Sequence, residues 1–163
     1  MATARALDVV LGAAVAGPGG TRSMGLRPAV AVGLHTAGVT LLSRGEVHGS
    51  DPVRAGTATV ATLLAAATAA TAATSATAGS VGRRRPLALG LASVYAITVA
   101  RAQVAAVRSP DAQTVRTATG AGIRGLVPLQ AALLAGQGAS RTALGLMALG
   151  PLLRAASRKV SPT

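Results

Sequence analysis

Residues 55–82, AGTATVATLLAAATAATAATSATAGSVG, are the longest uncharged stretch of a 163-residue chain, twenty-eight positions without Asp, Glu, Lys or Arg. At about 1.5 Å of rise per helical residue this is long enough to cross the roughly 30 Å of hydrocarbon in a bilayer. Ala and Thr dominate it, and only Val60, Leu63, Leu64 and Val81 are strongly apolar. A helix of that composition inserts poorly alone. It belongs among neighbouring helices, where Ala, Gly, Ser and Thr let backbones approach closely. Thr68, Thr71, Thr74 and Thr77 recur every third position. Three does not match 3.6, so these side chains drift around the helix and are expected to bond back to their own backbone carbonyls.

Working outward, the run at 28–43 lies uncharged between Arg27 and Arg44, with Pro28 where a helix start tolerates proline best. Before it, the apolar segment at 6–16 mimics a signal peptide. Asp8 and the single cation Arg5 argue instead for a partial membrane helix, broken by Gly17, Pro18, Gly19 and Gly20. On the other side, Arg83, Arg84 and Arg85 precede Pro86, which opens a run at 86–107 that continues through Arg101 if that residue faces protein or snorkels. Ser109, Pro110 and Asp111 supply turn chemistry. The runs at 121–140 and 142–156 follow, separated by Arg141 and short enough to form a helical hairpin within a larger bundle. The expected fold is an all-α integral membrane protein: a multi-pass helical bundle of about five apolar segments in one domain, 1–163, in the cell membrane.

Composition supports that class and removes others. Half the residues are hydrophobic, 12% are charged, mean hydropathy is +0.52 and Tyr95 is the one aromatic residue. A disordered basic tail would be poorer in apolar residues, and a soluble domain would carry about twice the charge. The net charge of +12 invites nucleic acid as a partner. The arginines are scattered singly between apolar runs, however, and stacking aromatics are missing, so no nucleic-acid partner is expected. The expected partner is a lipid bilayer with anionic headgroups. Cationic residues fall in similar numbers on both sides of the alternating runs, so orientation stays undecided. Cysteine is absent, which excludes disulfides and thiolate metal sites.

Chemistry concentrates in the connector 43–54, SRGEVHGSDPVR, which holds two of the four acidic residues. Glu46 and Asp51 offer carboxylate oxygens of the kind Mg²⁺ prefers, and Arg44 and Arg54 offer guanidinium groups suited to phosphate. The competing reading is a solvated loop whose charges neutralise one another. His35 sits inside an apolar run, where a hydrogen bond to a neighbouring helix outweighs a ligand or proton-carrying role. Arg101 and Arg108, seven residues apart, fall on one side of a continuous helix, where they bind phosphate or anchor at headgroups. No phosphate loop, dinucleotide fingerprint or zinc-binding HExxH is present.

The segments RALDVVLGA (5–13), GLHTAGVTLLSRGEVHG (33–49), GAGIRGLVPLQAALLAG (120–136) and the closing RKVSPT are similar to the carboxyl-terminal half of actinobacterial UbiA-type membrane prenyltransferases. The resemblance is one of text and layout along nearly the whole chain. It implies a helical membrane enzyme that transfers a prenyl group from a prenyl diphosphate to an acceptor, with Mg²⁺ and diphosphate held by two Asp-rich motifs, NDxxDxxxD and DxxxD. The first motif has no counterpart here, since the chain contains no Asn. Where the second is expected stand Glu46 and Asp51, five positions apart rather than four. The resemblance therefore implies Glu46 and Asp51 as Mg²⁺ contacts and Arg44, Arg54 and Arg101 as diphosphate partners. It also implies a carboxyl-terminal portion that works with a missing amino-terminal half or a helical membrane partner. The alternative is a small non-catalytic multi-pass membrane protein acting as a subunit or assembly partner.

Overall fold

Alanine is the strongest helix former, and the alanine-laden runs fold accordingly. The computed structural model describes residues 22–74 and 81–160. They form α1 (Arg22–Ser43), α2 (Pro52–Thr74), α3 (Val81–Arg108), α4 (Ala112–Gly136) and α5 (Ser140–Val160), with no strand among the described residues. The all-α expectation holds. The segment at 6–16 and residues 75–80, Thr77 among them, lie outside the described residues.

Several boundaries differ from the sequence reading. α1 begins six residues before Pro28 and α3 five before Pro86, so both prolines lie inside helices rather than opening them. One lost backbone bond costs less than leaving several flanking amides without partners. The uncharged run at 55–82 is shared between two helices that pack against each other, with 55–74 in α2 and 81–82 in α3. α4 starts nine residues earlier than the run at 121–140, because Asp111 caps it through bonds from the Gln113 and Thr114 amides. It ends four residues earlier because Gly138 adopts φ +91 beyond Gln137. The Gly138 amide then donates to the Ala135 carbonyl and the Ala139 amide to the Leu134 carbonyl, closing the helix in a Schellman motif.

Consecutive helices pack against each other, and α4 also touches α1 and α2, which closes α1–α4 into a bundle with α5 lying against α4. Small residues set the spacing. A Cβ at Gly38 would meet the Ala58 carbonyl of α2 at 3.2 Å, and one at Gly122 would meet Val39 of α1 at 2.7 Å. At Gly125 it would run into Val99 and approach the Tyr95 ring at 3.4 Å. Threonine hydroxyls are consumed locally: Thr57, Thr59 and Thr68 donate to carbonyls four residues back, and Thr71 to one three back.

The core is built mainly of alanine, with Leu42, Tyr95, Val99, Val115 and Leu129 its largest fully buried apolar side chains. Larger aliphatics face outward: Val60, Leu63 and Leu64 on α2, Val94 and Ile97 on α3, Ile123 on α4, Leu144 and Leu149 on α5. Among the described residues two helical stretches, Pro52–Thr71 and Arg85–Arg108, are long and apolar enough to cross a membrane, with mean hydropathies of 1.3 and 1.5.

Candidate functional site

The charged connector is built by two glycines and one contact with its neighbour. After Ser43, the Gly45 amide donates to the Leu42 carbonyl and the Glu46 amide to the Ser43 carbonyl. The Gly49 amide returns to the Gly45 carbonyl at 2.9 Å. Gly49 has φ +88, and a Cβ there would meet the Pro110 carbonyl at 2.6 Å. The Ser50 amide donates to that same carbonyl at 2.9 Å. The connector is thereby seated on the α3–α4 link, at the end of the bundle that also carries Arg108 and Asp111.

Asp51 serves α2. Its Oδ1 accepts from the Arg54 amide at 2.8 Å, and its Oδ2 lies 3.5 Å from the Arg54 Nε. Asp111 does the same for α4, and Thr114 donates its hydroxyl to Oδ2 at 2.6 Å. Those bonds, the Thr114 hydroxyl first and its amide next, hold the Asp111 carboxyl below its ordinary range. Two of the acids at this end are thus committed to helix starts. Glu46 is half-buried in the turn. No group of three His, Cys, Asp or Glu able to hold a metal occurs among the described residues. One uncommitted carboxylate and one shared with Arg54 do not by themselves fit a Mg²⁺ centre. An ion here would depend on substrate phosphate and on ligands that the described residues do not supply.

The arginines divide. Arg44 is exposed at the end of α1, and Arg54 is half-buried against Asp51. Arg101 stands apart, exposed on α3 about 10 Å along the helix from Arg108. Arg44 and Arg54 therefore belong to the connector, and Arg101 to the lateral face of the bundle.

A second polar group lies inside. The Nδ1 of His35 and the Tyr95 hydroxyl are 3.0 Å apart, with the rings edge to face at a centroid separation of 5.5 Å. Thr62 is a further hydrogen-bond partner of the Tyr95 side chain. All three are buried, and they link α1, α2 and α3. His35 makes the interhelical bond expected of it. With no charged partner in the cluster, its chemistry is that of a structural lock. Two turns along α3, Gln103 is fully buried with both amide atoms unpartnered. Neither Tyr95 nor Gln103 stood out as a site residue in the sequence, although one is the sole aromatic and the other a lone amide within an apolar run. Comparison with protein-family models, curated proteins and solved structures finds no match for this chain.

Proposed function

We propose that the protein is a multi-pass protein of the cell membrane that holds a prenyl diphosphate, as a UbiA-like prenyltransferase or its carboxyl-terminal portion. The observation that supports this most is the seating of the 44–51 connector on Pro110. It gathers Arg44, Arg54 and Arg108 at one end of a bundle whose outer surface is rich in leucine, valine and isoleucine. A charged end on an apolar body suits a substrate with a diphosphate head and a hydrocarbon tail. In prenyl transfer the allylic carbon–oxygen bond breaks and negative charge develops on the departing diphosphate. Fixed guanidinium groups stabilise that charge. Mg²⁺, when bound, supplies further neutralisation of the same oxygens. Here Arg44 and Arg54 bind and orient the head, and Glu46 is the carboxylate available to face a metal.

The test is equilibrium binding of geranylgeranyl diphosphate to the purified chain in neutral detergent, with and without Mg²⁺. The Arg44→Gln/Arg54→Gln double variant should bind at least about tenfold more weakly, since each lost charge-assisted contact costs about 1.5–3 kcal/mol. Unchanged affinity contradicts the assignment. Glu46→Gln removes the carboxylate left to face a metal while keeping its shape: the fold should persist while any Mg²⁺ enhancement falls.

The commitment of Asp51 and Asp111 to helix caps favours a second reading, a non-catalytic bundle that packs beside another membrane protein. That reading expects no prenyl diphosphate binding and stable co-purification with a helical partner.

A further inference from the structure

The charged connector is closed on itself. Its Gly49 amide reaches the Gly45 carbonyl at 2.9 Å, and a Cβ at Gly45 would meet the Ser50 Cβ at 2.8 Å and the Gly49 carbonyl oxygen at 2.9 Å. A turn that tight moves as one piece. Its contact with the α3–α4 link runs through the Pro110 carbonyl, which accepts from the Ser50 amide and lies 2.6 Å from where a Gly49 side chain would begin. Gly49 also holds φ +88, a left-handed conformation that L side chains resist. The atoms in conflict are backbone on both sides, so a larger residue at 49 lifts the connector off Pro110 and breaks the Ser50 bond with it.

That seat relates guanidinium groups far apart in sequence. Arg44 lies six residues before Ser50 and Arg54 four after it, while Arg108 lies two before Pro110. Arg54 turns its Nε to Asp51, 3.5 Å away, which leaves its terminal nitrogens clear of that pair. Arg108 closes α3, is exposed, and has no carboxylate within ion-pair reach among the described residues. Nearby Asp111 commits its oxygens to the Gln113 and Thr114 amides and the Thr114 hydroxyl. The cations at this end of the bundle thus stand on two pieces of chain that the Pro110 carbonyl joins. Either piece alone serves a single phosphate, and the two together serve a linked pair.

We propose that Gly49 and Ser50 are positioning residues that make this end select a diphosphate over a monophosphate, with Arg44 and Arg54 on one phosphate and Arg108 on the other. This rests on the prenyl diphosphate reading above and adds to it the source of head-group selectivity.

The experiment is equilibrium binding to the full chain in neutral detergent, without metal, with geranylgeranyl diphosphate and geranylgeranyl monophosphate as the two probes. Wild type should prefer the diphosphate by about tenfold or more, the worth of one added charge-assisted contact. Arg108→Gln should remove most of that preference and leave monophosphate binding unchanged. Gly49→Ala should do the same. In the Arg44→Gln/Arg54→Gln background Gly49→Ala should cause no further loss, because nothing is left for the seat to position. A merely structural role would instead weaken both ligands in both backgrounds, and that outcome overturns the proposal. Arg141→Gln, a cation at the opposite end of the bundle, should keep the preference. Equal wild-type affinity for the two ligands, or a preference undiminished in Arg108→Gln or Gly49→Ala, overturns the proposal and leaves prenyl diphosphate binding standing. A wild type that binds neither ligand overturns both, so the two failures are told apart. Should Gly49→Ala fail to fold, Arg108→Gln decides, and an undiminished preference there rejects the proposal.

Discussion

Gly125 shows how tightly single residues specify this bundle. A methyl group there collides with Val99 and presses on Tyr95, both fully buried. Gly125→Ala should therefore destabilise the protein by about 1–3 kcal/mol, the usual cost of overpacking. Adding Val99→Ala should recover part of that loss, which thermal unfolding of the single and double variants checks; strict additivity would contradict the contact. Gln103 predicts the opposite sign. Its amide is buried with both polar atoms unpartnered, so Gln103→Met, similar in shape and apolar, should stabilise by about 1 kcal/mol or more. Destabilisation would mean that the amide has a bonded partner. At this scale the sequence was legible only in part. His35 stood out because an ionisable group interrupts an apolar run. Its partner Tyr95, sixty positions away, did not, because local spacing carries no record of which helices meet.

At the scale of elements, two aspartates begin two helices at the same end of the bundle. The Asp111 carboxyl is held below its ordinary range by the Thr114 hydroxyl and the amides it caps. A carboxyl depressed in the folded state stabilises above its unfolded value, and that contribution disappears as pH falls through the folded value. The Gln113 and Thr114 amide resonances should therefore titrate together at a pH below the ordinary aspartate range. In Asp111→Asn, which caps without titrating, they should stay flat, and an unshifted midpoint in the wild type would contradict the cap. Helix type was readable from alanine content and long uncharged runs. Ends were not, because Pro28 and Pro86 are start signals by local rule yet lie inside α1 and α3, where continuity of backbone bonding prevails. The connector was readable as the charged place in the chain. Its seating on Pro110 through Gly49 depends on a contact across some sixty residues and was not.

Across the whole molecule, size is distributed against the habit of soluble proteins. Alanine fills most of the interior, while Leu63, Leu64, Ile97, Ile123 and Leu144 face outward. In water such a surface would drive association. In hydrocarbon it costs nothing, and the small interior residues let the helices approach through dispersion contacts. The diphosphate assignments depend on that medium. The most direct measurement is therefore the partition of the full chain when membranes bearing it are washed at high salt and then with alkaline carbonate. The protein should stay in the membrane pellet until detergent is added. Release into the supernatant, monodisperse and without detergent, would contradict the account.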